Sequence, residues 1–330
     1  MKALIAFGVL LVTMGIMRAN DSMAEIAVGG LVFTKTADVA MRSEELKISE
    51  KSVDVLYHFY NNSTNPITSL VAFPMPDIGP DLVVETAGVT VPTQDQENLF
   101  GFVTTVNGKK VQARIEQKAI ARNVDQSDLL RGMHIPLAQH LQLTKDAIYK
   151  LTPEQIKILL TSGLLEDHGS DANHDYYPIW TLKSAYFWEQ TFPPQSETVI
   201  HHHYKPAVGV SVQASPTIGD GSAGHDYDKY GIDSDFVKAF KKRKTSDPAS
   251  TNGFSSPWSE YRIGYILKTG ANWAKPIGTF RLVVDKGEAE NLLSFKGENV
   301  KKISPVEFEM IKTNFTPTQD IDILILKPLK

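Results

Sequence analysis

Over residues 53–59 the apolar side chains fall on every second position. Val53, Val55, Tyr57 and Phe59 share one face, with Ser52, Asp54 and His58 opposite. A period of two predicts a half-buried strand. Asn61-Asn62-Ser63-Thr64-Asn65-Pro66 predicts a turn, and Leu70-Val71-Ala72-Phe73 the next strand. Pro74 and Pro76 end it, because neither can donate to a ladder. Phe102, Thr104 and Val106 alternate up to Asn107-Gly108, and Val111, Ala113 and Ile115 alternate away from it. Asn-Gly accepts the positive φ of a type I′ turn, so these residues predict a hairpin.

Helix is predicted after about residue 125. Thr152-Pro153-Glu154-Gln155 reads as a capping box with proline at the first helical position, and Gly163 is the expected stop. Alternation returns at Tyr261, Ile263, Tyr265 and Leu267, at Phe280, Leu282 and Val284, and at Ile321, Ile323 and Ile325. The stretches 215–224 and 245–257 are rich in Gly, Ser, Pro and Asp and read as surface loops. The expected fold is mainly β with a helical insertion: two β-sandwich-like domains over 20–125 and 176–330, joined by a helical segment at 126–175.

Residues 1–19 stand apart. Lys2 supplies a positive start, residues 3–16 are apolar but for Gly8, Thr13 and Gly15, and Ala19 is a small residue at a cleavage position. This is the layout of a secretory signal peptide, too short for the roughly 20 residues of a spanning helix. The expected product begins at Asn20-Asp21-Ser22 and is exported, either to the periplasm or into the medium. No later segment approaches 18 uninterrupted apolar residues. The chain has no cysteine, which excludes disulfides, a thiolate nucleophile, a cysteine zinc site and a lipid anchor. Loss of Lys2 and Arg18 with the leader leaves 32 basic against 38 acidic residues, a balance that disfavours nucleic acid as a partner.

Candidate chemistry is sparse. On a strand His201 and His203 share one face and His202 takes the other. Two imidazoles at i and i+2 can chelate zinc if His168, Asp171, His174 or His225 supplies a third ligand; otherwise they are polar strand residues. Asp226, Asp228 and Gly231 begin like a calcium loop, but Tyr230 and Val237 hold ligand positions, so an EF-hand is rejected. An irregular cation site using Asp220, Asp226 and Asp228 stays open beside a polar loop leading into a helix capped near Asp233. That helix ends in Lys238, Lys241, Lys242, Arg243 and Lys244, which suit a helix C-terminus or an acidic surface. Seven aromatics fall within residues 176–192. Trp180 and Trp188, with His202 and Tyr204 further on, form a candidate sugar-stacking set; the alternative is ordinary core. Glu166, Asp167 and Glu189 are the nearby carboxylates for a glycosidase reading. There is no Gly-x-Ser-x-Gly elbow and no phosphate-binding glycine motif.

Four stretches together resemble a bacterial family of exported proteins known only as a domain of unknown function. They are Asn20-Asp21-Ser22 with Gly29-Gly30-Leu31; Val71-Ala72-Phe73-Pro74-Met75-Pro76-Asp77-Ile78; Trp188-Glu189-Gln190-Thr191-Phe192-Pro193; and Val284-Asp285-Lys286-Gly287 with Val300-Lys301-Lys302. His202, Tyr204 and Pro206 match the family's His-x-Tyr-x-Pro pattern. The resemblance implies export, a β-rich fold and, near the positions of Gly231 and Lys296, a cysteine pair that this chain lacks. Residues 45–125 alone are similar to the vault protein inter-alpha-trypsin domain, a β module of protein interaction. The reading is a non-catalytic binding protein outside the cytoplasm with a protein or glycan partner. The alternative is a secreted hydrolase of glycans or esters, metal-assisted through the histidines.

Overall fold

The alternation at 53–59 is realised in full, with all four apolar side chains at most 1% exposed. The computed structural model describes residues 20–27, 30–80, 89–170, 173–212, 214, 227–245 and 258–328. The expected leader, the 215–224 loop, most of the 245–257 loop, Asp171, Asp220, His225 and Asp226 lie outside the described residues.

The chain begins with β1 (Ser22–Ala27), β2 (Gly30–Thr34), β3 (Val39–Ser49), β4 (Val53–Asn61) and β5 (Ile67–Pro74). There follow β6 (Val89–Thr90), β7 (Val103–Val106), β8 (Lys109–Val111), β9 (Arg114–Ala121) and β10 (Val124–Asp125). Helices α1 (Ser127–Gly132), α2 (Gln142–Ile148) and α3 (Pro153–Ser162) fill the predicted helical segment. Next come the short hairpin of β11 (Leu165–Asp167) and β12 (Tyr176–Pro178), then β13 (Thr181–Phe192), β14 (Glu197–Tyr204) and β15 (Val208–Val212). After α4 (Ser234–Thr245), the strands are β16 (Trp258–Tyr265), β17 (Ile277–Asp285) and β18 (Leu292–Phe295). The chain closes with β19 (Lys301–Lys302), β20 (Glu307–Phe315) and β21 (Ile321–Pro328).

Local signals hold where they are strongest. Asn107 and Gly108 take φ of 49° and 76° between β7 and β8. The Gln155 backbone donates to Thr152 Oγ1 at 3.3 Å, and the Thr152 backbone donates to Gln155 Oε1 at 2.9 Å. Gly163 ends α3 in the left-handed region at φ 71°. Asp233 Oδ1 accepts from the backbone of Asp235 and Phe236, capping α4 as predicted.

The mainly β class and the helical insertion are as expected, but the sheets do not divide at the helices. An eight-stranded sheet runs β19-β20-β17-β3-β4-β14-β7-β8, a six-stranded one β10-β9-β13-β5-β1-β2, and a five-stranded one β18-β21-β16-β15-β6. Each draws strands from both sides of residues 126–175, so the two expected domains interleave. The cause is pairing preference. β13 has partners on both edges, β5 and β9, and its middle is buried on both faces. Residues 45–125 supply strands to all three sheets rather than closing a module of their own, which removes the structural basis for the inter-alpha-trypsin likeness.

One apolar core lies where the three sheets meet. Phe59 of β4 packs on Phe192 of β13, with ring centres 5.9 Å apart, and on Trp273 at 4.3 Å. Phe73 of β5 reaches Tyr265 of β16 at 6.3 Å. A smaller cluster of Tyr230, Phe240, Trp258, Leu324 and Leu326 seats α4 on the far side of the five-stranded sheet.

β3 and β17 form the one parallel ladder among the described residues, from Ser43 opposite Thr279 to Ser49 opposite Asp285. At its entrance β3 carries an irregularity between Met41 and Ser43, and the Arg42 carbonyl presses on Gly278. A Cβ at Gly278 would stand 2.4 Å from that oxygen. Gly278→Ala is therefore expected to destabilise the protein by more than about 1 kcal/mol in urea unfolding, with Gly297→Ala, which faces side-chain atoms of Val300, Phe295 and Met310 rather than backbone, a milder comparison.

Candidate functional site

The densest polar cluster is inside the protein. Asn20, Asp21, Ser22, Glu44 and His202 are all fully buried. β1 enters the six-stranded sheet at Ser22, opposite Ala72, which fixes the two residues ahead of it against β14 and β3. A short 3-10 turn over Lys268–Asn272 clamps them from the other side. Thr269 Oγ1 donates to the Asn20 carbonyl at 2.6 Å, Trp273 Nε1 to the Asp21 carbonyl at 2.7 Å, and Asn272 Nδ2 to Ser22 Oγ at 3.0 Å.

Two carboxyls face each other's partners here. Asp21 holds His202 Nε2 at 3.0 and 3.1 Å. Glu44 accepts from Asn20 Nδ2 at 2.8 Å and from the Tyr265 hydroxyl at 3.3 Å, and Tyr265 meets the Tyr57 hydroxyl at 3.1 Å. Burial pushes the Glu44 carboxyl up to about 8, against the smaller opposing pull of its Asn20 and Tyr265 hydrogen bonds. It raises Asp21 as well, and His202 partly offsets that. Burial is also the main reason that both tyrosines stand well above their ordinary range. The His202 ring is boxed by Phe73 and Phe102 at 5.0 Å, Trp188 at 5.3 Å and Tyr57 at 5.7 Å. An acid and a base this close resemble a proton-transfer pair, yet each is fully shielded from solvent. Their chemistry is to join strands.

The predicted sites fare differently. His201 and His203 do share a face of β14, flanking Asp54 Oδ1 at 3.6 and 2.8 Å. His168 and His174 sit in the β11–β12 hairpin, a separate sheet, paired to Glu166 at 3.2 Å and Asp167 at 2.6 Å. The four histidines do not converge as a zinc set. Among the described residues no three His, Asp or Glu side chains are arranged to hold a metal. Trp180, Trp188, His202 and Tyr204 are 0–2% exposed, so none offers a face for sugar stacking; they are core, because β13 and β14 turn these positions inward. Glu166 and Asp167 lie exposed on β11, and Glu189 is exposed on β13 in a different sheet.

A surface concavity of about 380 Å³ opens beside β18 and β20. Leu267, Met310 and Ile321 floor it, and Lys296, Lys312 and Asp320 stand at its sides. Lys312 Nζ is 3.2 Å from Glu298 and lies 5.0 Å over the Phe315 ring. Asp320 is committed to the fold, accepting from the backbone of Leu267 and Lys268 and pairing with the Lys268 ammonium at 3.1 Å. Gly231 and Lys296 meet in this wall: a Cβ at Gly231 would lie 3.2 Å from Lys296 Cα. The two positions linked by family resemblance are thus neighbours in space. Nearby, Lys286 is buried and donates to the carbonyls of Ala289 at 2.7 Å and Asn291 at 2.5 Å, which makes Asp285-Lys286-Gly287 a locked turn.

With the geometry in view, comparison places the chain. It belongs to the family defined by the domain of unknown function DUF4424, matched over residues 19–324. No curated protein matches it. Among solved structures it is similar to a Legionella pneumophila protein provisionally named a nutrient binding protein. That likeness has 18% identity and a TM-score of 0.44, covering 94% of this chain and 70% of that one. An M1 zinc metallopeptidase from Deinococcus radiodurans aligns at 8% identity and a TM-score of 0.27, covering 88% of this chain and 43% of that one. Neither likeness bears on what this chain does.

Linkage gives the buried acid a measurable signature. A carboxyl whose folded pKa is raised contributes stability below its unfolded value and loses it as pH rises through the folded one. For Glu44 the window runs from 4.5 to about 8. With Asn20 still joined to the residue before it, unfolding free energy should fall with pH across that window. The expected slope approaches 1.4 kcal/mol per pH unit at its steepest. Glu44→Gln should flatten the slope and be the more stable form at pH 8, read by urea titration at several pH values.

Proposed function

We propose that this chain is an exported, non-catalytic binding protein that takes a small polar molecule in the cavity beside Lys296 and Lys312. The contrast in access carries the reading. The groups with acid–base character, Asp21, Glu44 and His202, are shielded in the core, while the 380 Å³ cavity opens at the surface. Its size lies in the range of small-molecule sites, with an apolar floor and a few charged groups at the wall. Two lysines there favour a ligand with a carboxylate or another anionic group, and Glu298 favours one that also carries a donor. The leader-like pattern of residues 1–19 supports export.

The test uses the chain beginning at Asn20, screened by thermal shift against amino acids, small organic acids and sugars. A ligand at 100 times its Kd should stabilise by about 2.7 kcal/mol. Lys296→Ala combined with Lys312→Ala should abolish that gain and leave the ligand-free midpoint nearly unchanged. A parallel hydrolase panel gives the opposing outcome: turnover by the wild type overturns the non-catalytic reading. Amino-terminal sequencing of protein recovered outside the cytoplasm should begin at Asn20.

A further inference from the structure

The first three residues after the predicted cleavage point are also the first three that the core swallows. Asn20, Asp21 and Ser22 have no exposed surface, although a newly made chain end is ordinarily frayed and solvated. Each is held by name: Asn20 through Glu44 and Thr269, Asp21 through His202 and Trp273, Ser22 through Asn272. Gly270 approaches so closely that a Cβ there would lie 2.7 Å from Asn20 Nδ2. This is a socket shaped around residue 20.

The socket is short of positive charge. Its ionisable groups are Asp21, Glu44, His202, Tyr57 and Tyr265, and only His202 can be a cation. His202 is taken by Asp21. Glu44 is met by two neutral donors, the Asn20 amide and the Tyr265 hydroxyl. An acceptor is also left over, since Asn20 Oδ1 is buried without a hydrogen-bond partner. Buried carboxylates and buried acceptors are costly unless paired.

We propose that processing ahead of Asn20 supplies the missing partner: the new α-ammonium stays buried and forms an ion pair with Glu44. This rests on the export reading for the position of the cut. A peptide-bonded Asn20 brings one uncharged N–H. The free terminus brings three donors and a positive charge, on the atom next to the Cα whose side chain already grips Glu44. Hydrolysis of the peptide bond consumes one water and leaves the ammonium on Asn20 and a carboxylate on the departing leader. Maturation then balances Asp21 and Glu44 against His202 and the chain terminus. The cut then strengthens a core that the uncut chain holds less tightly.

The experiment compares four proteins: the chain released from a fusion with Asn20 as its first residue, the same chain with one added glycine, and each of these with Glu44→Gln. The free-terminus protein should hold its stability level from pH 4.5 to 8, while the extended one loses it across that window. At pH 7.5 the extension should lower the unfolding midpoint on the order of 5–10 °C, and Glu44→Gln should cancel most of the difference. If the extended chain does not fold, the free one still decides the matter. Its α-amine should resist an acylating reagent at pH 7.5 at least tenfold longer than in urea, read by mass spectrometry of the first peptide. An α-amine that reacts as an exposed one, or identical pH profiles for the free and extended chains, overturns the pairing. Sequencing of the exported protein is a separate readout. A different first residue refutes the cut at Asn20, and the acylation result still reports on the socket.

Discussion

The bond from Asp21 to His202 is the contact on which the arrangement of sheets depends. Asp21 belongs to the segment that leads into the six-stranded sheet, and His202 to a central strand of the eight-stranded one. Trp273, which holds the Asp21 carbonyl, follows β16 of the five-stranded sheet. One residue thereby joins the segment leading into the six-stranded sheet to the eight-stranded sheet and to the connection between β16 and β17. Apolar contacts around it supply most of the cohesion. A carboxyl with both oxygens on one ring nitrogen adds a directional link between the sheets. Loss of either member would leave the other buried without its hydrogen-bond partner, which is costly in a low-dielectric interior.

Much of this fold was legible from periodicity. The strand at 53–59, the Asn-Gly turn, the capped helix at 153–162 and the three C-terminal strands appear where alternation and turn chemistry put them, because each depends on residues close in sequence. Sheet membership did not follow. Whether β4 pairs with β5 across the turn at 61–66, or with β3 and β14, depends on partners up to 150 residues away. The chain takes the second course and sends β5 to another sheet. Asn20-Asp21-Ser22, just after the leader-like start, carry part of the family resemblance, and the structure places these three residues in the core.

The polar cluster left faint marks in the sequence. Glu44 stands on the inward face shared with Leu46 and Ile48, an acid where alternation calls for an apolar residue. Tyr57 and Tyr265 fit their apolar stripes so well that their hydroxyls drew no question. Alternation already places His202 on the face opposite His201 and His203, and its partner Asp21, 181 residues away in sequence, is what no local pattern could show. The cavity could not be read at all. Its walls come from β18, β20 and the loop before β21, with Gly231 from a distant turn, and no local pattern links them.

The parallel ladder between β3 and β17 has a consequence for how the polypeptide is made. Ser43 pairs with Thr279, so the strand beside β4 waits for a partner more than 200 residues downstream. Until that partner is synthesised, β3 presents an open edge, a template for association with other chains. Contact order this high slows folding and leaves little that an amino-terminal fragment can complete alone. A chain cut short anywhere before β17 is an aggregation hazard and a ready protease substrate, and keeping it unfolded until its last third has emerged is the safer course.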